Sequence, residues 1–389
     1  MSAARFEAPP RVKHVLVAAT AVGVAWFLAG LVFAPERALR GYLVGEIYFV
    51  GLALGAAFFV ALQHLSAAGW STALRRVPEA MSGTLPVAAL LFLPVLLGAH
   101  WIYEWTDAAA VAREPALQAK ASWLALPFFS ARALLYFAVW IAFTTAINRG
   151  SRRQDEDGSL EHTRRNGKLS GFFIAPFAIT VSLAAFDWCM SLDPRWASTI
   201  FGVYHFAGLF LSSLAAIVLA VIGLRRAGAL QGVVRPAHLV DLGRLLVGFT
   251  TFWGYIWFCQ YMLIWYSNLG EETAYYMRRT GPGWWPMFVL NLLANWLVPF
   301  VVLLPRKNKS NERVLVPVCV LLLVGRWIDL SLDISQPLTH SGPPIPIWEV
   351  GPTLAALGVF GLAFLRAFAA ANPVPVKDPT LEESLHHHV

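Results

Sequence analysis

Ten runs of about twenty apolar residues fill most of this 389-residue chain, each closed by charged or Pro/Gly-rich segments. A hydrocarbon core about 30 Å thick takes roughly 20 apolar residues to cross as an α-helix. At that depth no water pairs with the backbone, so a lone spanning segment satisfies its N–H and C=O groups only as a helix. The chain is therefore expected to be an all-α integral membrane protein. Its charged fraction, 14%, is well below the roughly 25% of soluble domains. No segment outside the runs is long enough to bury a core of its own. The chain reads as one polytopic domain, 1–389, with a tail at 371–389 that carries His386, His387 and His388 as an exposed end.

The predicted spans cover 12–33, 41–64, 81–101, 121–147, 169–190, 201–224, 237–265, 284–304, 313–333 and 347–370. The first is too long for the apolar part of a signal peptide and is read as a retained helix. Ser66 to Ala80 sets Trp70, Leu74 and Val77 against Arg75, Arg76 and Glu79, the pattern of a short interfacial helix. Asn148 to Lys168 is expected to be the longest polar loop. In the second span Gly41, Gly45, Gly51 and Gly55 form two four-residue spacings, which let helix backbones approach closely.

Basic residues set the orientation. With the N-terminus cytoplasmic, twenty of the 30 Lys and Arg fall on inner segments, seven on outer ones and three within spans. Both termini are expected inside, with the basic face on anionic lipid, and the net charge of +7 follows. The basic residues are spread over many short loops, which disfavours nucleic-acid binding.

Function is sought at the few ionisable residues that stand at lipid depth, where each costs roughly 2.5–3.5 kcal/mol on the insertion scale. In the outer half these are Glu46, Asp187, Arg326, Asp329 and Asp333, with Arg132 near mid-span. Arg326, Asp329 and Asp333 are spaced i, i+3, i+7 and share one helix face. Asp241 and Arg244 repeat the idea at the inner end of the seventh span. Two readings stay open: structural salt bridges, or a proton path relayed by carboxylates and trapped water.

The three cysteines, Cys189, Cys259 and Cys319, lie within apolar runs without metal-binding spacing, so buried thiols are expected and a metal site is not. His100 and His205 sit near outer ends and His14, His64 and His238 near inner ends, an arrangement that disfavours bis-histidine haem. The stretch Gln260 to Arg279 places Glu271, Glu272, Arg278 and Arg279 on the outer face, where a partner surface is expected.

Three segments carry a resemblance. They are Ala185 to Gly208 (AFDWCMSLDPRWASTIFGVYHFAG), Asp241 to Thr273 (DLGRLLVGFTTFWGYIWFCQYMLIWYSNLGEET) and Leu322 to Leu330 (LLVGRWIDL). Together they resemble the F subunit of bacterial alternative complex III, a quinol:cytochrome c oxidoreductase, within the NrfD-like superfamily of polysulfide reductase membrane subunits. The motifs cover the fifth to the ninth span; the N-terminal third agrees in span count only. Cys259 stands where the family pattern has Ser, and His205 where it has an aromatic.

The resemblance implies two four-helix bundles, spans 2–5 and 6–9, with spans 1 and 10 peripheral, in the bacterial cytoplasmic membrane. It implies a subunit without its own redox cofactor that supports assembly and proton translocation. Haem c and iron–sulfur clusters would lie on partner subunits, together with an NrfD-like C subunit. The motif positions here are Asp187, Asp241, Arg244, Gln260, Tyr261, Glu271, Glu272, Arg326 and Asp329. The runner-up reading is a quinone-binding subunit of the same complex, with Asp187 and His205 at the quinone. A secondary transporter is a third reading, but no Gly/Pro-broken pair of spans recurs in two halves.

Overall fold

The computed structural model describes residues 6–281, 283–338 and 347–388. Among these residues there is no strand, and nine helices are long and apolar enough to cross a membrane. They are α1 (Pro10–Phe33), α2 (Pro35–Leu65), α3 (Arg76–Leu97), α4 (Leu126–Asp157), α5 (Leu160–Trp188), α6 (Phe201–Arg226), α9 (Trp285–Leu303), α10 (Glu312–Ser335) and α11 (Ile347–Ala369). Between α6 and α9 lie α7 (Pro236–Ser267) and α8 (Gly270–Thr280). The 32-residue α7 matches the seventh predicted span in length. Its Trp, Tyr, Thr and Gln side chains dilute its apolarity, and Tyr255, Phe258, Trp265 and Tyr266 stand exposed along it.

Almost all of α2 is buried, and the glycine spacings explain how. Gly41 and Gly45 face α11, where a Cβ on Gly41 would come within 2.6 Å of Glu349 Cα. Gly51 and Gly55 face α6, where a Cβ on Gly55 would come within 2.4 Å of Ser213 Cβ. The two pairs thus seat two different helices at backbone distance. Around this axis α1 packs on α11, α4 on α5, α5 on α2, and α6 on both α7 and α10. The outward faces stay apolar: Val32, Phe33, Leu97 and Phe172 are all more than 70% exposed.

Three sequence expectations are corrected. The loop at 148–168 is helical except for a two-residue link, because Arg, Glu, Gln and Lys are good helix formers and α4 and α5 run on as a hairpin. Gly158 takes the left-handed conformation (φ +69°) that ends α4, and Ser159 Oγ caps α5 by accepting from Glu161 N at 3.2 Å. Ser66 to Ala80 is not one short helix with an exposed charged face. Gly69–Leu74 is a 3-10 helix, Arg76 already begins α3, and Arg75, Arg76 and Glu79 are buried. The third predicted span is broken into Arg76–Ser82, Leu85–Leu91 and Leu93–Leu97, since Pro86 and Pro94 bring no N–H to the helix ladder.

The tail is docked as far as Ser384, while His386 and His388 at its end are exposed as expected. It crosses the end of the bundle that also holds Phe6 against Phe368. Asp378 pairs with Arg75, Thr380 bonds Thr72 at 2.8 Å, and Ser384 Oγ donates to Trp70 O at 2.6 Å. Burial alone would push the Asp378 carboxyl up, but the Arg75 guanidinium holds it below the usual carboxylate range.

Candidate functional site

At the opposite end of the bundle, four helices bring charge together around α10. The i, i+3, i+7 spacing turns Arg326, Asp329 and Asp333 inward, and all three are at most 5% exposed. Arg326 Nη1 donates to Asp329 Oδ2 at 2.5 Å. The other oxygen of Asp329 accepts from Asn291 Nδ2 at 2.9 Å and from the Tyr204 hydroxyl. Asp333 Oδ1 accepts from Arg279 Nη2 at 2.9 Å and from Tyr275 OH at 3.2 Å.

His205 bridges the two pairs. Its Nδ1 is 3.4 Å from Arg326 Nη2, and its Nε2 is 3.2 Å from Asp333 Oδ2. An arginine only donates, so Nδ1 is the acceptor and the ring proton is assigned to Nε2, facing Asp333. The Nε2 contact is an ion-pair distance without hydrogen-bond alignment. Two guanidiniums oppose two carboxylates here, with the imidazole between them.

Local sequence builds this pocket of charge. A Cβ on Gly208 would lie 2.4 Å from Arg326 Nη1, so the glycine makes room for the guanidinium. Leu293–Leu297 forms a π turn in α9. Pro299 lacks the N–H that would bond Asn295 O, and the Thr250 hydroxyl takes that carbonyl instead. Asn295 Nδ2 in turn donates to Asn291 Oδ1 at 2.6 Å, which orients Asn291 toward Asp329.

Arg132 and Asp187 form a second, separate site. Asp187 accepts from Arg132 Nε and Nη2 at 2.8 Å each, from Trp123 Nε1 at 2.9 Å and from Tyr136 OH at 2.8 Å. The Arg132 guanidinium also lies over the Trp123 ring, 4.1 Å from its centroid. Both carboxylate oxygens are saturated, so Asp187 offers no vacant acceptor to a quinone. That corrects the sequence reading, which paired Asp187 with His205.

The remaining candidates do not join either group. Glu46 is buried on α2, and its Oε1 finds no partner among the described residues. Asp241 lies at the tail end, paired with Arg244 at 2.6 Å and with His387 at 2.5 Å. The Arg244 side chain is 53% exposed and so is not buried between helices. The expected partner surface is also split. Arg279 is buried against Asp333, Arg278 is paired with Asp193, and Glu271 and Glu272 keep an outward aspect.

The sequence reading missed a third cluster, beneath the docked tail. Arg76 bonds Glu79 at 2.5 Å and Asp155 at 2.6 Å, and Arg75 stands 3.4 Å from Glu79. Three charges within five residues, set among apolar neighbours, were its only signal. Tyr204, Tyr275, Asn291 and Asn295 were also missed; the i, i+4 asparagine pair inside an apolar span could have flagged the last two.

Of two cavities, the smaller adjoins the first site. One of about 30 Å³ is lined by His205, Arg326, Cys189, Trp188 and Gly51. At about 10–15 Å³ per water it holds roughly two. The other is a cleft of about 330 Å³ between α5, α7 and α8, lined by Phe186, Met190, Gln260, Leu263 and Glu272. Gln260 is 1% exposed there, and its Nε2 has no hydrogen-bond partner among the described residues. Among the described residues no group of His, Cys, Asp and Glu is arranged to hold a metal ion.

Fold and site together define an all-α, multi-pass membrane protein with ion pairs buried between its helices. No family model matches the chain, and no curated protein matches it.

Proposed function

We propose that the chain is the membrane subunit of a respiratory quinol:cytochrome c oxidoreductase of the alternative complex III kind, without a redox cofactor of its own, and that it conducts protons. The observation that carries this reading is the buried array Arg326–Asp329 and Arg279–Asp333, bridged by His205 beside a cavity of two-water size. Ionisable groups are kept at such depth at a cost, and transporting membrane proteins place them along ion paths. Quinol oxidation releases protons, so a path to the surface is required within such a complex. His205 supplies the relay: water in the adjoining cavity gives a proton to Nδ1 and Nε2 passes one to Asp333, while Arg326, which keeps its own protons, positions the ring. Asp329 is the second proton-exchanging carboxylate of the array, and Tyr204 and Asn291 hold it in register.

In this reading α7 is a tenth span. Spans α2–α5 form one four-helix bundle, α6, α7, α9 and α10 the other, and α1 and α11 pack aside. Both termini are cytoplasmic, in a bacterial inner membrane. Partners are an NrfD-like C subunit, an iron–sulfur subunit and c-type cytochromes. Gentle solubilisation followed by affinity purification through this chain is expected to bring down haem c and iron–sulfur polypeptides in fixed ratio. Recovery of the chain alone, from membranes where those polypeptides are abundant, would reject the assignment.

One observation favours the runner-up, a quinone-binding subunit, though not at Asp187 and His205. The cleft at Gln260 and Glu272 is of ligand size, has apolar walls, and ends on a buried amide without a partner. A carbonyl there would satisfy Gln260 Nε2, and a hydroxyl would satisfy Glu272. A photoactivatable quinone analogue is expected to label α7 near Leu263, and Gln260→Leu to lower that labelling about tenfold, the value of one buried hydrogen bond. Labelling that lands only on another subunit removes this reading.

A further inference from the structure

We propose that a groove at the tail end of the bundle, between the first turn of α7 and the link that precedes α10, binds a phosphate-bearing headgroup, and that its occupant is an anionic phospholipid. The groove measures about 540 Å³. Its walls carry Arg235, Lys307, His387 and His388 beside Arg306, and among the described residues none of its lining is acidic. Asp241, next to the groove-lining Val240, is already committed to His387 and Arg244. The 32-residue helix α7 begins in the groove, with Pro236 and Ala237 on its wall, and so adds the positive end of its dipole to the side-chain charge.

The cations are held in place. A Cβ on Gly243 would lie 2.7 Å from Lys309 Cβ, so the bare glycine lets the Lys309 stem lie across α7. Lys309 Nζ then donates to Leu304 O at 2.8 Å, which folds the link back and sets Arg306 and Lys307 beside the groove. Immediately before these two residues, Val301 and Leu304 are 58% and 57% exposed. An apolar wall thus adjoins a cationic cup, as suits an acyl chain below a phosphate. A free phosphate would use only the cup. This inference stands apart from the respiratory reading and needs only the docked tail and the α7 end.

The test uses the purified full chain equilibrated with phosphatidylcholine vesicles containing or lacking phosphatidylglycerol, with bound lipid counted by native mass spectrometry. The parent is expected to retain phosphatidylglycerol over phosphatidylcholine. Arg235→Gln combined with Lys307→Gln removes two surface charges and should weaken retention about 30-fold. Arg235→Lys with Lys307→Arg keeps the charge and should bind like the parent, which separates charge from folding. Parent-level retention by the neutral pair, or loss in the charge-keeping pair, overturns the proposal. Inorganic phosphate binding as tightly as the lipid would overturn the lipid as occupant and leave a soluble anion.

Discussion

Arg132→Met is expected to destabilise the protein by about 3–5 kcal/mol, the cost of leaving one member of a buried ion pair without its partner. Asp187 is 1% exposed and takes two of its four hydrogen bonds from Arg132. An ordinary interhelical hydrogen bond in a membrane protein averages only about 0.6 kcal/mol, so a loss of this size identifies the stranded charge as its source. Adding Asp187→Leu to the same variant removes that charge, and at least half of the loss should return. Reversible unfolding in mixed detergent, monitored by circular dichroism, measures both. A single substitution costing under about 1 kcal/mol would contradict the sealed arrangement around Asp187. The site is therefore expected to act on stability and to leave proton transfer unchanged.

Asp329→Asn is expected to act on the opposite quantity. The amide keeps the carboxyl shape and an oxygen for Tyr204 and Asn291 but leaves Arg326 without its carboxylate, so the complex should assemble with lowered stability. It cannot exchange a proton at neutral pH. Loss of a positioned proton-transfer group typically costs about 10²–10⁴-fold in rate, and the number of protons released per electron should drop below the parent's. His205→Gln is the companion variant, because it leaves the Arg326–Asp329 and Arg279–Asp333 pairs in place and removes only the bridge. Proton release by the reconstituted complex, followed with a pH-sensitive dye during quinol turnover, gives the stoichiometry. Unchanged stoichiometry in both variants would leave these residues a packing role alone.

Nine helices long and apolar enough to span, among the described residues, were legible because lipid imposes a length and an apolarity on any helix that crosses it, and both are local properties. The glycine spacing of α2 was legible for a similar reason: close approach needs a missing side chain whatever the partner helix. The helical hairpin of α4 and α5 was not, since a charged stretch looks alike as a loop or as a helix continuing beyond the bilayer. The tail was misread because its polarity suits water equally well, until Arg75 offers Asp378 a partner from 303 residues away.

For the site, the periodicity of α10 put Arg326, Asp329 and Asp333 on one face, and the sequence alone established that much. Which groups they meet depended on packing. Asp329 reaches Tyr204 across 125 residues, and Asp333 reaches Arg279 across 54. Asp187 looked equivalent to Asp329 as a lone acid at depth, yet it closed on Arg132 and became a saturated pair. Burial sets a demand for a partner, which composition and periodicity reveal. The choice of partner is made by helices crossing at backbone distance, and only the assembled bundle contains it.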